Sequence, residues 1–555
     1  MQGYKFLGVV ALTGMLASVP AVADSVLLPA RVQQAAQARI RAGEYPALVI
    51  GVVAGSQSRV YSFGELADGK APTGNSVFEI GSATKTFTGT LLAEAIEAGK
   101  LKFDEPVSTL LPGFRIPARD GKSITLGELA TQFSGLPRLP TNMSPADPGN
   151  PYADYTAAKL RDFLAAYVLP RDPGSAYEYS NLGFGLLGYA LAQHAHADYG
   201  TLVSANILQP LGMRLSGVAL TPAMRRNLAI GHDETGKPVE NWDLNALAGA
   251  GAIKSTGNDM LRYLEANMGI LKTPLTPAFT FAHQPQRAIG NGEQIGLAWM
   301  TQSGADGKII WHNGMTGGYA SFIGFTADGR RGVVVLTNIQ QSVDDLGFAT
   351  LLPDAPLAPA EKAVSMSSSK LDDYVGSYQL APHFILDISR QGDQLYAQAT
   401  GQGAFPLFAS GTDEFFARIA NISLSFKRGA DQKVNGLILH QNGDHPAQRI
   451  SAVAAAESET GQAVVSLPPA TLRDYVGRYQ LTPAAQFDVT LKGNQLYAQL
   501  GNQPAFPVFA SAKDKFFYTV VNAQLDFVRE HARVTALILH QNGQSLRAPR
   551  VADHH

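Results

Sequence analysis

Over the first 350 residues the apolar positions change period several times. From Leu28 to about Gly43 they recur at helical spacing (Val32, Ala35, Ala36, Ile40), which predicts an amphipathic helix. Ala47 to Ala54 and Arg59 to Phe63 are two β-rich runs separated by Gly55-Ser56-Gln57-Ser58, which predicts a hairpin. An extended run, Ser76 to Ile80, leads into a helical stretch from Ser82 to about Ala98, with Phe87, Leu91, Leu92 and Ile96 as its apolar stripe. Leu101 to about Leu275 mixes Gly, Pro and short helical patterns. Three β-type segments then return at Ile309-Ile310-Trp311, Ala320 to Phe325 and Gly332 to Thr337. A region that opens and closes on strands and carries helices between them predicts an α/β (α+β) fold. Its antiparallel sheet would join the first and last strands, with a helical region beside it.

After Leu352 the pattern changes to short alternating runs split by Gly, Asn and Asp turns, and it repeats. Leu371-Asp372-Asp373-Tyr374-Val375-Gly376-Ser377-Tyr378-Gln379-Leu380 returns as Leu472-Arg473-Asp474-Tyr475-Val476-Gly477-Arg478-Tyr479-Gln480-Leu481. Gln394-Leu395-Tyr396-Ala397-Gln398 returns as Gln495 to Gln499, and Leu437 to Gly443 as Leu537 to Gly543, at an offset of 100–101 residues. Two copies make a duplicated domain, not a solenoid, and each copy reads as a small antiparallel β-barrel. Pro/Ala/Ser-rich stretches precede each copy and read as linkers. The expected organisation is a leader over 1–23, a catalytic domain over 24–352, a linker over 353–370, a barrel over 371–452, a second linker over 453–470 and a second barrel over 471–555. His440 and His540, next to turn residues in the two copies, read as structural.

Composition narrows the class. With 555 residues, 45% apolar and 16% charged, the chain can bury several cores. A net charge of −2 offers no electrostatic footprint for nucleic acid. Lys5, the apolar run Phe6 to Val19 and Ala21-Val22-Ala23 have the form of a cleaved secretory signal, so a secreted or periplasmic protein without an integral membrane segment is expected. There is no cysteine, hence no disulfide or thiolate metal site. His194-Ala195-His196 lacks a nearby third ligand, and no metal or other cofactor is expected. Nothing in the sequence sets the oligomeric state.

The chemistry centres on Gly81-Ser82-Ala83-Thr84-Lys85. Three residues apart on one helical turn, Ser82 and Lys85 share a face, so the amine can reach the hydroxyl. A serine needs such a base, and a lysine serves as one when burial or a nearby cation lowers its pKa. The helix start also offers free N–H groups to an oxyanion. The pattern alone does not separate catalysis from a capping serine beside a solvated lysine, since Ser367 and Lys370 repeat it in a linker. Two further stretches add weight. Tyr179-Ser180-Asn181 precedes an apolar helix; a phenol beside an ammonium is expected to have its pKa lowered from about 10 and to relay protons, and Asn181 to orient the lysine or the substrate amide. Trp311-His312-Asn313-Gly314-Met315-Thr316-Gly317-Gly318-Tyr319 ends a β-run; His312 is placed to meet a carboxylate or hold the hydroxyl network, and the glycine-rich backbone at Gly314 and Met315 to approach a ligand, with the Met315 N–H as second oxyanion donor beside Ser82. Taken singly, each stretch also fits a packed tyrosine, an asparagine cap or a surface histidine.

In this order, S-x-x-K, Y-x-N and H-x-G resemble the serine β-lactamase and penicillin-recognising family, most closely its class C-like branch. Leu126-Gly127-Glu128-Leu129, Ser134-Gly135-Leu136-Pro137, Pro210-Leu211-Gly212-Met213 and Gly249-Ala250-Gly251 match as well, over about Leu28 to Leu352. The resemblance implies an acyl-enzyme on Ser82, general-base work shared between Lys85 and Tyr179, a holding role for Asn181 and an oxyanion site at the N–H groups of Ser82 and Met315. His312 stands where the well-known β-lactamases have lysine, and H-x-G recurs in D-aminopeptidases, some D,D-peptidases and esterases. Two trailing barrels resemble the D-aminopeptidase architecture. A peptide- or amide-cleaving hydrolase is therefore the expected function, with a small peptide, amide or β-lactam as substrate. A β-lactamase, a carboxylesterase and a slowly deacylating penicillin-binding sensor are the alternatives. Removing the chain after Leu352 is expected to change substrate selectivity.

Overall fold

The computed structural model describes residues 27–551, apart from 291, 305–306, 401, 419–421, 442, 461–462, 483–484, 502–504, 520–522, 532 and 542–543. The expected leader, 1–23, lies outside the described residues. The first domain, the one expected to be catalytic, is built on an eight-stranded antiparallel sheet. Ala47–Ala54 pairs on one side with Gln57–Gly64 and on the other with Arg331–Thr337, so the first and last strands do meet (Leu48↔Thr337, Val53↔Gly332). Ala320–Thr326 and Gly307–Met315 follow in the sheet. Three strands absent from the pattern reading, Met300–Gly304, Glu293–Ile295 and Arg287–Gly290, complete the far edge. They are short and half polar, so they carry no clear alternation.

Both faces of the sheet are covered, which explains the unbroken apolar run Ala47–Val53. Leu48, Ile50 and Val52 point to a layer with Val32, Ala36, Leu346 and Ala349 from helices Ala30–Ala42 and Asp344–Leu351. Val49 and Val53 point to the other layer, with Met260, Leu261 and Leu264 of helix Gly257–Asn267. This second layer continues into the helical region.

Within that region, Val77–Glu79 pairs with Lys254–Thr256 and delivers the chain to a 3₁₀ turn, Gly81–Ala83, and then helix Thr84–Glu97. The helix is buried on every side through Ala93, where a one-sided stripe was expected. Its threonines are tolerated because their hydroxyls are bonded internally: Thr86 to the Ala83 carbonyl at 2.8 Å and Thr88 to the Gly249 carbonyl at 2.8 Å. Helix Asn181–His194 packs beside it and against the turn Asn245–Ala250.

The two C-terminal copies are eight-stranded and antiparallel with the same strand order. The first closes, Ser377 pairing with Ile450. The second brings its ends together through a Tyr479–Arg550 bridge and the Val551 N–H on the Arg478 carbonyl at 2.8 Å. The repeated Tyr-Val-Gly-x-Tyr has one cause in both. Tyr378 and Tyr479 are buried and donate to the carbonyls of Tyr374 and Tyr475, each at 2.7 Å. His440 joins Ser425 (2.9 Å) and Asp444 (2.6 Å) across neighbouring strands, and His540 joins Ser545 (2.8 Å).

Neither connecting stretch is a loose tether. Residues 352–361 are strapped onto the catalytic domain. Arg31 donates to the carbonyls of Leu352 and Ala355, Arg39 to that of Ala358, Asp345 accepts the Ala358 N–H, and Glu44 accepts the Glu361 N–H. Between the barrels, Ala452–Thr460 is a helix, as its alanine content favours. Ser458 bonds Gln379 and His383 of the first barrel, and Ala456 packs on Phe509 and Phe517 of the second.

Candidate active site

Ser82 lies at the start of the central helix, half-buried, with its hydroxyl facing a pocket lined also by Tyr152, Asn181, Trp242, Leu247 and Met315. Lys85, one turn on, is fully buried. Its Nζ is 2.9 Å from Ser82 Oγ, 2.8 Å from Asn181 Oδ1 and 2.8 Å from the Ala250 carbonyl. All three partners are uncharged. Burial without a counter-ion, aided by the Arg138 guanidinium, holds the amine well below the usual lysine range. A neutral amine keeps two N–H groups for Asn181 and Ala250 and turns its lone pair to the Ser82 hydroxyl. Ser367 and Lys370, with the same spacing, are both exposed in a stretch that supplies no burial.

Ser180 caps helix Asn181–His194, its Oγ accepting the Gly183 N–H at 2.8 Å, so Asn181 is the first helical residue and not the cap. That places the Asn181 amide over Lys85. The Tyr179 hydroxyl bonds Ser82, and its ring stands 4.9 Å from Lys85 Nζ and 5.1 Å from the Arg138 guanidinium. Its pKa does not fall, as had been expected. Burial outweighs the Ser82 bond and the nearby cation and pushes the phenol up to about 12. Tyr179 is a proton donor at neutral pH.

The third stretch runs along strand Gly307–Met315. His312 is buried, not a surface residue, and its Nδ1 lies 2.5 Å from the Asn313 carbonyl. Burial above all, with repulsion from Lys85 whenever that amine is protonated, lowers it to about 3, so the imidazole is neutral. Gly314, two residues on and on the same face, meets the Ser82 backbone; a Cβ there would come within 2.0 Å of the Ile80 carbonyl and 2.9 Å of Ser82 N. Gly81, at φ +50°, allows the reciprocal approach, since its Cβ would lie 2.6 Å from Met315 N. The register fixes where the Met315 N–H points. Thr316 N–H bonds the Tyr319 carbonyl, so Met315 and Ala320 form the alternate, non-bonded pair. The Met315 N–H therefore turns away from that neighbour and towards Gly81 and Ser82. With the Ser82 N–H, unpaired by position in a helical first turn, it makes a two-donor cradle.

The structure thus brings Ser82, Lys85, Tyr179, Asn181, Gly314 and Met315 together, with His312 behind them in the wall. Sequence reading gave no individual role to four participants. The Ala250 carbonyl is a backbone atom and carries no side-chain signature. Arg138 and Tyr152 come from a loop-rich stretch without a pattern. Trp242 is held through Glu79, whose Oε1 accepts the Trp242 N–H at 2.8 Å and the Asn241 amide at 3.0 Å. Glu79 lies 3.9 Å from buried Lys254; burial pushes the carboxyl up and the amine down, and their attraction opposes both. Among the described residues no group of three or more His, Cys, Asp or Glu could hold a metal ion. No helix among them is long and apolar enough to cross a membrane.

Residues 32–352 match the family described as Beta-lactamase, and residues 360–451 and 462–549 each match a domain of unknown function, DUF3471. The D-alanyl-D-alanine-carboxypeptidase/endopeptidase AmpH of Escherichia coli (strain K12) is 29% identical over 321 residues, 53% of this chain and 82% of that protein. A beta-lactamase of Pseudomonas fluorescens is 27% identical over 351 residues, 57% and 92% of the two chains. The crystal structure of a class C beta-lactamase in complex with cefoxitin superposes with a TM-score of 0.51 at 26% identity, over 57% of this chain and 96% of that one.

Proposed function

The chain belongs to the beta-lactamase family, a family of serine hydrolases, and we propose that it is an exported enzyme that cleaves peptide or amide bonds through an ester on Ser82. The observation that carries this reading is the 2.9 Å contact between Ser82 Oγ and a lysine amine with no charged partner. Export rests on the form of residues 1–23.

The steps follow from the proton inventory. The neutral Lys85 amine takes the Ser82 proton as Oγ attacks the substrate carbonyl carbon. The carbonyl oxygen becomes an oxyanion held by the N–H groups of Ser82 and Met315. As the C–N bond breaks, the Tyr179 hydroxyl gives its proton to the leaving nitrogen and recovers one from the Lys85 ammonium. In the second half, water gives a proton to the Tyr179–Lys85 pair, its oxygen attacks the ester, and Ser82 Oγ leaves with a proton. With Tyr179 pushed up to about 12, lysine is the better resting base.

The peptide or amide preference is supported by His312. Neutral and buried, it puts no cation at the position where the well-known β-lactamases carry lysine, and the Arg138 guanidinium, 5.1 Å from the Tyr179 ring, is a nearby cation for a substrate carboxylate. The relatives named above are a carboxypeptidase/endopeptidase and a beta-lactamase, so drug hydrolysis is the second reading.

Intact-protein mass followed over time with a penicillin, Ser82→Ala alongside, separates them. A lasting adduct that needs Ser82 supports a peptidase-like enzyme with slow deacylation. Drug turnover without an adduct makes it a β-lactamase. Neither result directs the assay to D-amino-acid amides, peptides and short esters, and loss of all of these activities would overturn the reading.

A further inference from the structure

Beside the strap, where Glu44 and Tyr45 face the Arg418 guanidinium, the first barrel makes a further contact with the catalytic domain. Arg418, at the end of strand Glu414–Ala417, donates to the Glu234 carbonyl at 3.4 Å, and its own carbonyl accepts the Ser342 N–H at 3.2 Å. The guanidinium is propped on the ring of Phe408, 4.2 Å from its centroid. Burial raises the Tyr396 phenol of the same barrel, and the charges of Glu234 and Asp233 add to the shift. Asp233 and Glu234 sit in the turn of a two-stranded hairpin, Gly231–His232 with Pro238–Val239.

That hairpin is continuous with the pocket. One residue beyond it come Asn241 and Trp242, which both bond Glu79, with Trp242 beside Gly317. The His232 N–H reaches the Gly318 carbonyl at 3.2 Å. The Gln340 side chain, turned to suit its neighbours, donates to Glu234 Oε2 at 2.9 Å and to the Gly317 carbonyl at 3.2 Å. A chain of polar contacts therefore runs from the barrel, through Arg418, Glu234 and Gln340, to the turn that follows the oxyanion donor.

We propose that the first barrel is a specificity element for the Ser82 site, and that Arg418 is the positioning residue through which it acts: it seats the Glu234 turn, and thereby the Trp242 wall and the 316–319 turn. No barrel group enters the pocket in this arrangement. What the wall accepts is an apolar or aromatic group on the acyl side of the scissile bond, since Tyr152, Trp242, Leu244 and Leu247 line it. The proposal rests on the acyl-enzyme reading given above.

The test uses the full chain with Arg418→Ala and, at the other end of the polar chain, Gln340→Ala. Hydrogen–deuterium exchange is read over residues 231–242 and 314–320, and kcat and KM are measured for p-nitrophenyl acetate and p-nitrophenyl phenylacetate. In both variants exchange in the two segments is expected to rise about fivefold, with the Ser82 helix unchanged. KM for the phenylacetyl ester should rise about tenfold with kcat within about threefold, while the acetyl ester stays within about twofold. Arg418→Lys, which keeps one donor for the Glu234 carbonyl, should restore most of the discrimination. Unchanged exchange in the two segments overturns the proposal, and so does an equal loss on both esters. If the unaltered enzyme cleaves neither ester, the exchange data alone decide whether the barrel seats the hairpin, and the acyl-enzyme reading is decided by the penicillin, amide and peptide assays given above.

Discussion

Lys85 Nζ lies 2.9 Å from Ser82 Oγ, and the atoms that complete its shell, Asn181 Oδ1 and the Ala250 carbonyl, are both neutral. A lysine so placed has lost its hydration without gaining a counter-charge. It is held where the amine form is accessible, directly against the hydroxyl that the proposed mechanism has it deprotonate.

Removing either partner should stop acylation without unfolding the chain. Ser82→Ala is expected to lower kcat by at least about 10³-fold, and Lys85→Ala by about 10²–10⁴-fold. Lys85→Arg should not rescue, because a guanidinium stays protonated. Single-turnover acylation by mass spectrometry reads the rates, and circular dichroism checks the fold.

The pH dependence of acylation should carry one limb in the working range. The base must be unprotonated, so the rate rises with pH and levels off below the ordinary lysine value of about 10.4. Tyr179, pushed up to about 12, keeps its proton across the range and adds no alkaline fall below about pH 10. His312, lowered to about 3, adds no limb near its ordinary value of about 6.5. A His312→Gln enzyme with a shifted limb would contradict this assignment.

Gly81→Ala should damage rate more than fold. The substitution puts a methyl group within 2.6 Å of Met315 N, the proposed second oxyanion donor, at a φ of +50°. The expected result is a kcat loss of about 10²–10³-fold. Stability should fall by about 1–3 kcal/mol. Thermal denaturation and steady-state kinetics on one preparation measure both.

Asp344 gives a stability prediction with a definite sign. Its carboxylate accepts the Asn313 amide at 2.7 Å behind the third stretch, and burial pushes it up to about 6. The folded form holds its proton more tightly than the unfolded chain. This contribution is therefore fully present below about pH 3.9 and is lost as pH rises through 6. Asp344→Asn keeps an acceptor for Asn313 without the charge. It should be about 1–3 kcal/mol more stable than the parent above pH 7. The gap should close by about pH 4. A gap that is the same at every pH would mean that Asp344 does not titrate in the fold.

Local spacing made the Ser82–Lys85 contact legible, because three residues on a helix always share a face. The meeting of Ala47–Ala54 with Arg331–Thr337 was legible as well, since both are continuous apolar runs at the ends of one domain. Asn181 could be set beside Lys85 from its motif and the family resemblance but not from local spacing, as 96 residues separate them. The Tyr179 shift was misjudged for a physical reason: proximity to a cation can be read from motifs, but the larger cost of burial depends on packing from several distant segments. Arg287–Gly290 and Glu293–Ile295 escaped notice because edge strands with polar positions have no distinctive period.

The strap over 352–361 has a consequence for how strongly the first barrel must bind its neighbour. Glu361 is pinned to Glu44, and Val364 is already hydrogen-bonded into the barrel at Ala409, so only Lys362 and Ala363 lie between the fixed points. Across so short a connection, each domain experiences the other at an effective concentration of millimolar or higher. Contacts such as Arg418 to Glu234, too few to join two separate proteins, can then keep the seam closed at any dilution of the enzyme. Loosening that seam is a matter of spacer length at 362–363 as much as of the contacts themselves. Flexible residues inserted there should open it gradually, as the −3/2 power of the length.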